Sequence, residues 1–213
     1  MILASIAFDM PLEFDKVFTE GITGIETSDV EYAEELGYRI KHLGIARRTD
    51  AGIELRVHPT LIPEKRLLAN VNGVKNAVLV EGDAVGPTLY YGAGAGAGPT
   101  ASAVVADLVD LARDFALDQD HAVPGLGVSM SRMRTQAVLP IAEVHTSYYL
   151  RMTAADKPGV LSAVATICSE AGISIEALIQ KQPGEGQTRV PVIILTNRVQ
   201  EALLERAARK RAV

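Results

Sequence analysis

Tryptophan is missing from these 213 residues, cysteine occurs once, and the aromatic share is only 5%. The lone thiol, Cys168, falls inside the apolar stretch 158–171, where it reads as core packing rather than as a nucleophile and fits a reducing cytoplasm. Net positive charge is lacking too: 21 Lys and Arg against 26 Asp and Glu leave -5. With so few stacking rings, that balance excludes a phosphate-backbone surface, and no nucleic-acid partner is expected. No apolar run reaches the ~18 residues of a bilayer span, and the amino terminus lacks the basic region and cleavage site of a signal peptide. The expectation is a cytoplasmic protein with no membrane partner. His42, His58, His121 and His145 are scattered without paired ligand spacing, so no metal site is expected. Ser129, Ser131 and Ser147 lack the sequence of a nucleophile elbow.

Apolar residues, at 48%, are plentiful enough for a core, and the length fits one or two domains. Residues 1–8 read as the end of a helix that begins upstream, having no capping residue ahead of them. A short helix follows from Thr27-Ser28-Asp29 to Leu36, stopped at Gly37. Strands are expected over 38–48 and 53–59, joined by the hairpin signal Asp50-Ala51-Gly52, with a short helix over 63–68. Two more strands, 75–80 and 88–91, lead to the glycine run 92–100 and a helix rich in small residues from Ala101. Strand, glycine loop and helix start form a recipe for approaching phosphate, with Gly94, Gly96 and Gly98 as the open positions. The run does not satisfy the dinucleotide fingerprint, because Ala97 or Pro99 stands where a third glycine is needed. A purely structural glycine turn stays open as the other reading.

Near the carboxyl end, a strand over 147–153 runs into Asp156-Lys157-Pro158-Gly159-Val160-Leu161 and an apolar helix over 158–171. Proline suits the first helical position and Gly159 removes a side chain, so first-turn N–H groups could hold a small carboxylate. A well-capped helix without a ligand is the alternative. Strand 173–182, the turn 183–186, strand 189–196 and a helix over 197–211 complete the order βαββα, a split βαβ unit missing its last strand.

With Ala171-Gly172-Ile173-Ser174-Ile175, this region resembles an ACT domain, a regulatory module that binds free amino acids. Upstream, Glu20-Gly21-Ile22-Thr23, Gly37-Tyr38-Arg39-Ile40-Lys41-His42-Leu43-Gly44, Val57-His58-Pro59-Thr60-Leu61-Ile62-Pro63, Asn70-Val71-Asn72-Gly73-Val74-Lys75-Asn76-Ala77 and the glycine run with Ala101-Ser102-Ala103-Val104 resemble homoserine dehydrogenases, in the order seen there. The resemblance implies an α+β fold: a mixed-sheet remnant of the substrate and dimerisation domain over 1–117, a linker over 118–146 and a ferredoxin-like ACT domain over 147–213 without its closing strand. It implies interconversion of homoserine and aspartate semialdehyde with NAD(P), in threonine and methionine biosynthesis. In this family a nucleotide-binding domain and a catalytic lysine precede the segment matching residues 2–8, so the chain is expected to be a piece without activity of its own, and none of its residues is assigned as catalytic. Lys16 and Lys41 lack the acidic-glycine context of that lysine. Gly94, Gly96 and Gly98 are implied near the cofactor; Asp156, Lys157, Gly159, Val160, Leu161 and Ser174 are implied at an amino-acid effector site, with threonine the expected ligand and a homo-oligomer the expected assembly. A stand-alone amino-acid-sensing and dimerisation module is the second reading.

Overall fold

The structure, a computed structural model, describes residues 1–116, 124–181 and 188–209. The chain runs α1 (Ile2–Phe8), β1 (Phe18–Thr19), α2 (Thr27–Glu35), β2 (Tyr38–Thr49), β3 (Gly52–Pro63), β4 (Lys75–Gly82), β5 (Gly86–Ala93), α3 (Ala97–Ala116), β6 (His145–Thr146), β7 (Tyr149–Ala155), α4 (Val160–Glu170), β8 (Ile175–Gln180), β9 (Arg189–Thr196), β10 (Val199–Gln200) and α5 (Glu201–Ala208). The class is α+β with several small sheets, as expected. Two compact units form, each discontinuous in sequence: Met1–Leu12, Ala33–Lys41 and Thr60–Thr135 make one, and Glu13–Tyr32, His42–Pro59 and Gln136–Val213 the other. They do not coincide with the segments 1–117, 118–146 and 147–213.

In the first unit, α1 ends at Asp9, a left-handed position (φ 52°) that short polar side chains tolerate. The Asp9 carbonyl accepts the Arg134 amide at 2.9 Å. The helix expected over 63–68 does not form: β3 continues to Pro63, and a 3₁₀ turn at Leu67–Asn70 follows. The Asn70 side chain fastens that turn by donating to the carbonyls of Glu64 and Arg66 at 2.9 and 3.0 Å. Strands β4 and β5 form a hairpin longer than expected, pairing from Lys75↔Ala93 to Gly82↔Gly86. Backbone pairing tolerates the end glycines that side-chain propensity argues against. On α3, Val104, Leu108, Leu111 and Phe115 form an apolar stripe at helical spacing, and all four are exposed.

In the second unit, β1, β3 and β2 form a sheet in that order, with β1 parallel to β3. The segment expected as a linker is stitched to β3: Ile53 donates to Ala137 at 2.8 Å and Leu139 donates back to Ile53 at 2.9 Å. Gly52 (φ +147°) permits this, because a Cβ there would stand 2.6 Å from the Ala137 carbonyl oxygen. Main-chain groups make these two hydrogen bonds, so side-chain patterns carry no sign of them. Part of the expected linker, residues 118–123, lies outside the described residues.

The antiparallel sheet β7-β9-β8 has the 1-3-2 order of the split βαβ motif, with β7 showing no strand neighbour on its outer side among the described residues. Helix α4 lays Val160, Leu161 and Val164 over Leu150, Met152, Ala154, Val190, Val192 and Ile194 of one face. A second cluster joins Cys168 and Ile173 to Val199, Leu204 and Ala207. Each fully buried Val, Ile or Leu side chain contributes about 1.5–3 kcal/mol. The helix expected over 197–211 begins only at Glu201, because Val199 and Gln200 pair with Thr146 and His145 instead. The expected turn 183–186 and the tail 210–213 lie outside the described residues.

Candidate effector and nucleotide sites

Helix α4 starts at Val160, not at Pro158. Gly159 occupies the capping position in the left-handed region (φ +89°), which proline cannot enter and other residues enter at a cost. The Gly159 carbonyl accepts Ala163 N–H at 2.9 Å. Ahead of it, Asp156 N–H donates to Thr188 at 3.2 Å and Lys157 N–H to Ala155 at 2.9 Å, so the loop turns tightly at the end of β7. Residues 156–159 are exposed, whereas Val160 and Leu161 turn inward onto the core. By helix geometry the first-turn amides have no carbonyl four residues back inside the helix, which leaves Gly159 as an open face beside positive dipole ends.

Ser174 does not join this loop. Strands β7 and β8 are both antiparallel to β9, so they run the same way, and Ser174 precedes β8 at the end opposite to Ala155. Six residues at ~3.3 Å each place it on the order of 20 Å from the loop. There Ser174 Oγ accepts Asn197 Nδ2 at 2.9 Å. The opposing wall expected from the start of β8 is therefore not formed within one chain. Its place at the loop is taken by Gln180, whose Nε2 donates to Asp156 Oδ1 at 3.2 Å. Sequence reasoning missed Gln180, although its position six residues after Ser174, on a strand that runs parallel to β7 on the far side of β9, is a signal that could have found it.

The expected glycine loop of 92–100 shrinks from both sides. Gly92 and Ala93 belong to β5, and α3 takes up Ala97, Gly98 and Pro99. Proline is tolerated in a first helical turn, where its missing donor is not needed. The three singled-out glycines then differ in cause. A Cβ on Gly94 would run into the Asn76 side chain, Gly96 holds φ +118°, and Gly98 faces open space. Gly98 alone is thus free of an internal structural reason, and it stands exposed in the first turn of a helix.

A polar clamp that the sequence did not announce ties α2 to β7 within the second unit. Asp29, buried to 3% exposure, accepts the Tyr149 hydroxyl and Arg151 Nε at 2.7 Å each and the Glu26 amide at 2.9 Å. Burial acts to raise the Asp29 pKa, but these donors outweigh it, and the carboxyl is held below the usual carboxylate range. Burial and donation to Asp29 push the Tyr149 phenol above the ordinary tyrosine range. Arg151 also pairs with Glu26 at 2.9 Å, and Lys181 lies 5.4 Å from the Tyr32 ring. Cys168 is buried, which pushes its thiol up and suits packing rather than reactivity. Among the described residues, no group of His, Cys, Asp and Glu could hold a metal ion, and no helix is long and apolar enough to cross a membrane.

The homoserine dehydrogenase family model matches residues 1–109 and the ACT domain model matches residues 148–213. The chain is 60% identical over 200 residues to a homoserine dehydrogenase of Pseudomonas aeruginosa, covering 94% of this chain and 46% of that protein. It is 52% identical over 206 residues to one of Neisseria gonorrhoeae, with coverages of 97% and 47%. The crystal structure of a homoserine dehydrogenase from Thiobacillus denitrificans superposes with a TM-score of 0.88 at 54% identity, over 97% of this chain and 46% of that one. The chain thus spans about half the length of these relatives. A homoserine dehydrogenase match followed by an ACT match, on a fold shared with a solved relative, shows that the chain belongs to the homoserine dehydrogenase family.

Proposed function

We propose that this chain is the substrate-sheet and regulatory part of a homoserine dehydrogenase, an oxidoreductase that interconverts homoserine and aspartate semialdehyde with NAD(P) in threonine and methionine biosynthesis, and that the chain alone does not turn over. The observation that carries this reading is the order of the two family matches, residues 1–109 and then 148–213, in one polypeptide. The nicotinamide cofactor supplies the hydride chemistry when bound. The described residues fit a supporting role toward it: Gly98 leaves a side-chain-sized space in front of a helix start, with Gly94 and Gly96 turning the chain into it. The ACT module binds an amino-acid effector, with threonine the expected one, at the exposed loop 156–159, where Asp156 and Lys157 flank the open Gly159. The protein is cytoplasmic.

Calorimetry of the purified chain with threonine, with lysine as control, tests the regulatory half of the proposal. Heat for threonine only, in the millimolar range because β7 has no strand neighbour on its outer side among the described residues, is the expected result. Equal heats for both amino acids would remove the effector reading and leave the loop as a helix cap.

A further inference from the structure

We propose that the cavity at the β1–β3 pair, in the second unit, binds a small monocarboxylate, at a site separate from the loop 156–159. The cavity measures about 190 Å³ and is walled by Asp15, Lys16, Val17, Arg56, Leu139 and Val144 among others. A single water needs only about 10–15 Å³ by the same measure. Arg56 supplies the recognition. Its side chain is 7% exposed; Nη2 donates to Glu54 Oε2 at 3.2 Å and Nη1 to His58 Nε2 at 3.2 Å. His58 Nδ1 in turn donates to the Pro59 carbonyl at 2.8 Å, which fixes the imidazole as an acceptor toward Arg56. One guanidinium nitrogen is left without any partner: Nε is buried and has no hydrogen-bond partner among the described residues. An unpaired buried N–H on a cation is costly, and a carboxylate oxygen satisfies it best, by a charge-assisted bond. Lys16 on the same wall is already paired with Glu13 at 2.6 Å, which leaves the recognition to Arg56, and the Asp15 carboxylate disfavours a second acid group on the ligand. Val17, Leu139 and Val144 give a short hydrocarbon tail an apolar bed. A simple organic acid and an amino acid share this carboxylate.

Saturation-transfer NMR on the whole chain, with propionate, propionamide and L-alanine as probes, tests the site. Propionate is expected to bind, with propionamide at least about tenfold weaker because it lacks the anionic oxygens. L-alanine binding more tightly than propionate identifies amino acids as the source, and the reverse order identifies simple acids. Val17→Phe fills the space without touching a charge and is expected to abolish the propionate signal. Glu54→Gln with Arg56→Met removes the buried pair together and is expected to remove the preference for propionate over propionamide. If that double variant does not fold, Val17→Phe decides, checked by circular dichroism. Gly159→Val disrupts the effector loop and is expected to leave propionate binding unchanged, which keeps this proposal distinguishable from the effector reading. Equal binding of propionate and propionamide, an unchanged signal in folded Val17→Phe, or no signal up to about 50 mM propionate, where even very weak sites register, would mean that the cavity holds water only.

Discussion

Asp29 shows how much one side chain can carry. Three donors converge on a buried carboxylate, and breaking such an arrangement costs about 2–4 kcal/mol, because partners are left unpaired away from water. Asp29→Asn is therefore expected to lower the urea midpoint at neutral pH clearly. The sign with pH follows from the depressed folded pKa. The stabilisation is complete above the unfolded carboxyl value of about 3.9 and is lost as pH falls through the lower folded value. The difference between wild type and Asp29→Asn should accordingly shrink in denaturation series taken toward pH 2; a difference that stays constant would separate Asp29 from the acid limb. Gly52 is a second single-residue constraint. Adding one methyl there collides with the Ala137 carbonyl, and Gly52→Ala is expected to destabilise by about 1–3 kcal/mol in the same assay.

Elements decide which glycines belong to function. Gly96 sits at φ +118°, so a valine there strains the turn before any nucleotide is considered. Gly98 is the cleaner probe, since it lies in the first turn of α3 with open space around it. In a full-length enzyme carrying this segment, Gly98→Ala should leave stability unchanged or raise it by up to about 1 kcal/mol, as alanine favours helix. The same change should raise the Michaelis constant for the nucleotide; an unchanged constant would make the glycine turn purely structural. The strand directions in the β7-β9-β8 sheet make a parallel statement about the effector. Gly159→Val is expected to abolish the threonine heat and Gln180→Ala to weaken it, whereas Ser174→Ala, at the far end of the sheet, should leave a single chain's binding unaltered. Loss of binding in Ser174→Ala would instead indicate that a second copy brings its Ser174 to the loop.

On the scale of the molecule, apolar surface is left uncovered in the described residues. The stripe of α3 and the hairpin residues Val78, Leu79, Val80, Tyr90 and Tyr91 are all exposed, more than a monomeric protein normally leaves in water. Self-association is the expected consequence, and light scattering should give a species at least twice the 22.7 kDa chain mass. A single 22.7 kDa species over a wide concentration range would argue against it. Hydride transfer requires the cofactor to be positioned against the substrate. No homoserine-dependent NADP reduction above a heat-treated control is therefore expected from the chain alone.

The sequence by itself determined the family, the α+β class and most strand and helix positions, because hydrophobic period and turn residues are local signals that each segment carries. It also singled out Gly159 and Gly96, as positions without a side chain in a ligand's way; that both hold positive φ is a finding of the structure. Tertiary structure alone decided where those pieces meet. The pairing of Ile53 with residues 137–139 runs through main-chain groups that every sequence possesses. The convergence of Tyr149 and Arg151 on Asp29 joins residues 120 and 122 positions apart. Ser174 and Gln180 exchanged roles because strand direction is fixed by the pairing of β8 with β9 and not by β8 itself. Pro158 was read as a helix start because proline favours that place in general; the left-handed turn at Gly159 moved the start by two residues, since a helix begins where backbone angles allow and not where a residue type merely permits.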